Sequence, residues 1–175
     1  PPKIEGANHA VTSNALFSMP SLPESIAIIG GGYIGIEFAS ILNALGSKVG
    51  LILRKNTILR GFDNECRQWL QTELSQSGIN ILTETEVTQI KIEGSLKKLS
   101  LSTGESLSVQ ETLFAIGPHP NTNALNLAPI GVKTDSNGAI QVDDSYQTSA
   151  PHIFALGDCT NRVNLTPVAI AEGRA

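Results

Sequence analysis

The glycines at Gly30, Gly31, Gly32 and Gly35 constrain the fold of this chain more than any other feature of its sequence. Their spacing fits G-x-G-x-x-G. They stand between a short apolar run, Ser25–Ile29, and a stretch with helical apolar periodicity. A buried strand, a tight turn and a helix are the elements this spacing serves. Ile34, Phe38, Ile41, Leu42 and Leu45 are expected to turn one helix face to a sheet. Gly46 is expected to close that helix, and Lys48–Leu53 to form the next parallel strand. In such a βαβ unit Gly30 makes the turn, Gly32 lets the backbone approach a pyrophosphate, and Gly35 lets helix and strand pack closely. The amides of the helix N-terminus then receive the anion. A glycine-rich turn before a helix can be only a turn, but strand, helix and second strand together favour nucleotide binding.

The end of the second strand bears on which nucleotide. Sites for NAD place an acid about twenty residues beyond the glycines, where it binds the ribose 2′-hydroxyl. Here Leu53 takes that place, Arg54 and Lys55 follow, and Arg60 comes six residues after Arg54. An acid repels a 2′-phosphate, whereas two arginines grip it bidentately. The pattern reads as an NADPH site; the other reading of each arginine is a solvated loop cation.

The 175 residues suffice for one domain and some extra chain, and 41% hydrophobic residues can form a real core. A net charge of −4 offers no basic field to nucleic acid or a membrane surface. No run reaches membrane-spanning length. The opening Pro1-Pro2 and the stop at Ala175 within a helical pattern read as a piece of a longer protein. Cys66 and Cys159 lie too far apart for a CxxC motif, which argues for a reducing compartment and against a disulfide framework. Cys66 reads as a small buried filler of a helix. No metal site is expected.

Residues 1–22 read as a linker on a surface. After the second strand, a helix over Asn64–Gln76 shows Cys66, Leu70 and Leu74 on one face, and Ile79–Leu82 is a strand. Glu86–Glu93 and Leu96–Leu101 alternate around Gly94-Ser95 as an antiparallel hairpin, with a further short strand at Ser106–Val109. Glu111–Ile116 is a buried strand returning to the parallel sheet. The fold class is therefore α/β, a Rossmann-type three-layer parallel sheet with an antiparallel β insertion. Beyond it, Gly138–Val142 and Pro151–Leu156 read as strands, and Thr166–Ala175 as a helix with Thr166 as N-cap and Pro167 first. Asp158, after Gly157, either caps a turn or meets a phosphate–ribose ligand.

Five motifs in order, GGGYIGIEFA, LILRKNTILRGFD, FAIGPHPNT, HIFALGDCT and NLTPVAIAEGRA, resemble the flavin-dependent pyridine-nucleotide disulfide oxidoreductases, the glutathione reductases above all. The resemblance implies an FAD/NAD(P)-binding fold, with residues 1–22 as an FAD-domain flank, 23–120 binding NADPH and 121–175 returning to the FAD domain. It implies NADPH and FAD as cofactors, glutathione disulfide as substrate, a homodimer and a cytoplasmic location, a plastid being the other. It assigns the pyrophosphate to Gly30, Gly32 and Gly35, with Ile34 and Gly117 beside the nucleotide, and the 2′-phosphate to Arg54 and Arg60. Tyr33 resembles the ring that covers the nicotinamide pocket, and Glu37 the carboxylate that pairs with an FAD-domain lysine. Asp158 resembles the ligand of the FAD ribityl chain, Leu165 and Thr166 the contact to the flavin ring. Arg174 resembles an arginine that binds a substrate carboxylate, where trypanothione reductases carry a small neutral residue. Without the resemblance, Tyr33 packs at a turn, Glu37 is a solvated helix residue and Arg174 belongs to a fraying end. Pro118 departs from the family by replacing the usual arginine after Ala-x-Gly. The family's first FAD-binding glycine motif, its redox-active Cys-x4-Cys and its His-Glu acid–base pair are absent from these residues, so the chain alone is expected to be inactive and its FAD site incomplete. The rivals are trypanothione reductase or another disulfide reductase of the family, and a stand-alone NADPH-binding module without catalysis.

Overall fold

A computed structural model of the chain describes residues 3–174, and these divide into two compact units between Gly117 and Pro118. The first unit is built on five parallel strands in the order β1-β8-β2-β3-β4. The strands are β1 (Val11–Thr12), β2 (Ser25–Ile29), β3 (Lys48–Ile52), β4 (Asn80–Leu82) and β8 (Glu111–Phe114). Helices α2 (Tyr33–Ala44) and α3 (Asn64–Gln76) make the crossovers, and α1 (Ser13–Leu16) follows β1. A separate antiparallel sheet holds β5 (Val87–Glu93), β6 (Leu96–Leu101) and β7 (Ser106–Val109).

Alternation along the central strands explains the layering. Ile26 and Ile28 of β2, with Val49 and Leu51 paired beside them, face Ile36, Ala39 and Leu42 of α2 and Leu74 of α3. Ala27 and Ile52 point the other way, into a cluster with Ile90, Leu99 and Val109 of the antiparallel sheet. Strands covered on both faces need apolar residues at every position, which the run Ile26–Ile28 supplies at zero exposure. The expected α/β sheet with its antiparallel insertion is thus observed, and the insertion forms the third layer.

Several expectations of detail fail for physical reasons. The α2 face is only partly the expected one: Leu42 is buried and Ile34 and Phe38 pack against the core cluster. Its buried residues are Gly35, Ile36, Ala39 and Leu42, while Ile41 and Leu45 are exposed. Small residues let a helix approach a sheet, and weighting the pattern by large side chains misses them. Residues 1–22 are not simply a linker: β1 adds a strand beside β8, and Ile4, Ala7 and Ala10 pack on the antiparallel sheet's cluster. Gly6, at φ 77°, lies where a Cβ would stand 1.8 Å from the Ile90 carbonyl. Cys66 is exposed rather than buried filler, and Leu74 is the buried residue of α3.

The second unit is less regular. The strands expected at Gly138–Val142 and Pro151–Leu156 are isolated bridges, Thr134 to Ile140, Val142 to Thr148 and Gln147 to Phe154. The Asp135 carboxylate accepts from the Asn137 and Ala139 amides, and Asp143 from Ser145 and Gln147, so the backbone turns before a ladder can extend. Val132, Ile140, Ala150 and Ala155 form a small core. Helix α4 covers Thr166–Glu172, with Leu165 rather than Thr166 at the N-cap, and Ala175 lies outside the described residues.

Candidate functional site

The glycine turn joins β2 to α2 at the carboxyl end of the parallel sheet. The chain leaves β2 toward β3, while β8 returns on the other side of β2, so the turn stands where the strand order reverses. Crevices at such switch points are where open α/β sheets bind ligands. Gly30 adopts φ 127° and its amide donates to the Ile52 carbonyl at 3.0 Å. A Cβ there would lie 2.3 Å from the Ala115 carbonyl oxygen. A Cβ on Gly35 would lie 2.2 Å from the Gly30 carbonyl oxygen, so helix and turn touch backbone to backbone. Gly32 differs from both. It is the N-cap of α2 with ordinary extended backbone, φ −78° and ψ 174°, and a Cβ on it would meet nothing within 4 Å. No packing within the protein calls for glycine at that position.

No side chain caps α2 at its N-terminus. Tyr33 begins the helix half-buried, Ile34 packs against the core cluster, and Glu37 is exposed one turn on. Glu37 makes no ion pair among the described residues. Gly117, exposed at φ 116°, ends the segment that follows β8 and passes Gly30 at Ala115.

The loop after β3 carries the two arginines. Leu53 is buried, whereas Arg54, Lys55 and Arg60 are exposed. Arg54 Nε stands 4.0 Å from Glu86 Oε1, a loose contact between two solvated groups. The loop is tied to the glycine turn by the Leu59 amide, which donates to the Gly31 carbonyl at 2.7 Å. Ile58 between them is fully buried. Side chains of α3 hold the same segment: Arg67 Nε donates to the Ile58 carbonyl at 2.7 Å, and the Ile58 amide donates to Gln71 Oε1 at 3.1 Å. Neither Arg67 nor Gln71 stands out in the sequence. Their i, i+4 spacing, beginning four residues after Asp63, is the signal that could have drawn attention to them.

Asp63 caps α3, its Oδ1 accepting from the Glu65 and Cys66 amides at 3.0 and 3.1 Å. The Cys66 amide first, then the Cys66 side chain and the Glu65 amide, hold the Asp63 carboxyl below its ordinary pKa. Nine of the expected residues, Gly30, Gly32, Tyr33, Ile34, Gly35, Glu37, Arg54, Arg60 and Gly117, therefore lie in or beside the turns around the sheet's carboxyl edge.

The other four belong to the second unit. Asp158 is exposed in the 3-10 turn Gly157–Thr160, and its carboxylate has no partner among the described residues. Glu172 of α4 holds that turn by accepting from the Gly157 amide at 2.7 Å, a contact the sequence reading did not foresee. Leu165 and Thr166 are exposed at the start of α4, and Arg174 is exposed beyond its end.

A family model described as pyridine nucleotide-disulphide oxidoreductase matches residues 1–173. A glutathione reductase of Burkholderia cepacia is 46% identical over 99% of this chain and 39% of its own length. A chloroplastic/mitochondrial glutathione reductase of Pisum sativum is 45% identical over 99% of this chain and 32% of its own length. A trypanothione reductase of Trypanosoma congolense is 43% identical over 98% and 36%. Among solved structures, the HOCl-induced flavoprotein disulfide reductase RclA of Escherichia coli superposes with a TM-score of 0.92 at 29% identity, over 99% of this chain and 40% of its own. The chain thus spans between about a third and two fifths of the length of these relatives.

Proposed function

The chain belongs to the pyridine nucleotide-disulphide oxidoreductase family, and from that premise we propose that it is the NADPH-binding part of a flavin-dependent disulfide reductase acting on glutathione disulfide. Residues 23–120 bind the nucleotide, in one unit with the segment that precedes them, while residues 121–175 belong to the FAD-binding part of a homodimeric enzyme. The observation that carries the reading is Gly32, open on its Cβ side at the mouth of the switch-point crevice. A glycine with neither a φ nor a packing requirement is accounted for by a ligand that comes close to its backbone.

When bound, the nicotinamide and flavin cofactors would supply the hydride-transfer and electron-transfer chemistry of disulfide reduction. The chain's own groups bind and orient. The Gly30–Gly35 turn and the first amides of α2 take the pyrophosphate, and Arg54 and Arg60 take the 2′-phosphate that buried Leu53 could not hold. Tyr33, first in α2, covers the nicotinamide position, and Glu37 offers a carboxylate to a lysine near the flavin. Gly117 keeps side-chain bulk out of the crevice's second wall. In the second unit, the partnerless Asp158 carboxylate suits a ribityl hydroxyl as acceptor, with Leu165 and Thr166 beside the flavin ring. Arg174 binds a carboxylate of the substrate, which favours glutathione disulfide over trypanothione disulfide. The proposed location is cytoplasmic, or a plastid; among the described residues no helix is long and apolar enough to cross a membrane.

Calorimetric titration of the chain with NADPH and NADH tests the reading. Two solvated charge-assisted contacts are expected to supply about 3–4 kcal/mol, a preference of a few hundredfold for NADPH. Replacing Arg54 and Arg60 together by Leu removes most of that preference and leaves NADH binding nearly unchanged. Equal affinity of the unaltered chain for both nucleotides refutes the assignment.

A further inference from the structure

Between the two exposed arginines, Asn56, Thr57 and Ile58 are held with more hydrogen bonds than a solvated surface loop ordinarily has. Arg67 Nε donates to the Ile58 carbonyl at 2.7 Å, one of its terminal nitrogens donates to Asn64 Oδ1 at 2.7 Å, and the other to the Thr57 hydroxyl. Gln71 grips the same segment from the next turn of α3. Its Oε1 accepts from the Ile58 amide and its Nε2 donates to the Asn56 carbonyl, each at 3.1 Å. On the opposite side the Leu59 amide reaches the Gly31 carbonyl, with Leu59 in the left-handed region at φ 50°. That conformation is costly for a residue with a side chain, so the surrounding contacts must impose it.

We propose that Arg67 and Gln71 are positioning residues for nucleotide selection: they fix the segment joining Arg54 to Arg60 against the glycine turn, so that both guanidinium groups are set before the 2′-phosphate arrives. The inference rests on the reading of Arg54 and Arg60 as ligands of that phosphate. Two like charges on a free loop repel each other and must be ordered at the ligand's expense, whereas a clamped loop has met that cost during folding. Arg67 is not itself a phosphate ligand. It is half-buried, and all of its nitrogens are turned inward onto Ile58, Asn64 and Thr57. Its role depends on the fork of its guanidinium, not on its charge.

That distinction makes the test. The chain is titrated calorimetrically with NADPH and with NADH as the unaltered protein, as Arg67→Lys, as Gln71→Met, and as the double Leu variant at Arg54 and Arg60, each checked for an unchanged circular dichroism spectrum. Arg67→Lys keeps the charge and loses the fork. Gln71→Met keeps the length and loses both hydrogen bonds, and it carries the test by itself should the lysine variant not fold. Each is expected to weaken NADPH about tenfold while NADH stays within about twofold. Full NADPH preference in the clamp variants, with the preference lost in the double Leu variant, overturns this inference and leaves the 2′-phosphate assignment standing. Equal losses for both nucleotides also overturn it, because they mark a merely structural role. No preference in the unaltered chain removes the assignment itself, and the inference with it.

Discussion

At the glycine turn the backbone is held by close approaches that a single methyl group would break; at the arginine loop it is held by side chains reaching in from α3. Gly35 against Gly30, and Gly30 against Ala115, leave no room for any Cβ. The loop, by contrast, keeps its form through Gln71 and Arg67 and through backbone bonds from the Leu59 amide to Gly31 and from the Glu84 amide to Lys55. Backbone contacts of the first kind are all-or-none, while hydrogen bonds of the second kind can be loosened by degrees. The part expected to serve every dinucleotide is therefore the rigid one, and the part expected to choose among them is adjustable.

The strongest way to break this contrast is Gly35→Ala. Its Cβ would fall 2.2 Å from a carbonyl oxygen of the turn, so the backbone must shift. Overpacking of this kind costs about 1–3 kcal/mol, and a thermal melt should show a fall of several degrees. NADPH and NADH should both bind at least about tenfold more weakly. Gly32→Ala comes next and separates fold from ligand. With nothing within 4 Å of the new methyl, and the poorer capping by alanine offset by a less flexible unfolded chain, the melting temperature should change by no more than a few degrees. Both nucleotides should nevertheless weaken by roughly tenfold, about 1.4 kcal/mol, as the methyl obstructs the pyrophosphate. Unchanged affinity in that variant would leave Gly32 without a ligand-based reason.

Smaller effects belong to the loop. Glu86 stands 4.0 Å from Arg54, with both side chains largely solvated, so it competes weakly for the guanidinium. Glu86→Gln should raise NADPH affinity by no more than about threefold and leave NADH alone, as titration at low salt would show. Acid provides the gentlest probe. The Asp63 carboxyl has its pKa lowered by folding, so its contribution to α3 is full above the ordinary aspartate range and is lost as pH falls through the lowered value. Compared with Asp63→Asn, which keeps a capping oxygen but does not titrate, the unaltered chain should be slightly more stable at pH 6. That advantage should shrink as pH falls below the ordinary aspartate range, as paired melting curves would show.

The sequence was most legible where the cause of structure is local. Ser25–Ile29, the glycine turn and the helix beginning at Tyr33 each follow from neighbouring residues, and each stands where it was expected. The buried face of α2 was only partly legible from its large residues, because Gly35 and Ala39 bring that helix close through their lack of bulk. The clamp on the arginine loop was hidden for another reason. Arg67 and Gln71 bind backbone atoms nine to fifteen residues back in the chain, and no pattern of residue types announces such a contact. In the second unit, the Ser136-Asn137-Gly138 turn suggested a strand over Gly138–Val142, but the side chains of Asp135 and Asp143 bend the backbone after a single bridge.

The pairing of β1 carries a consequence for the time the chain takes to assemble. Val11 and Thr12 pair with Leu113 and Phe114, about a hundred residues downstream. At synthesis rates of about 5–20 residues per second, the first strand emerges about five to twenty seconds before its seat exists. Strands β2, β3 and β4 are joined by short crossovers and can associate in that interval, whereas β8 must arrive last and be received between β2 and β1. The edge of the sheet that is first in sequence is thus the last to close.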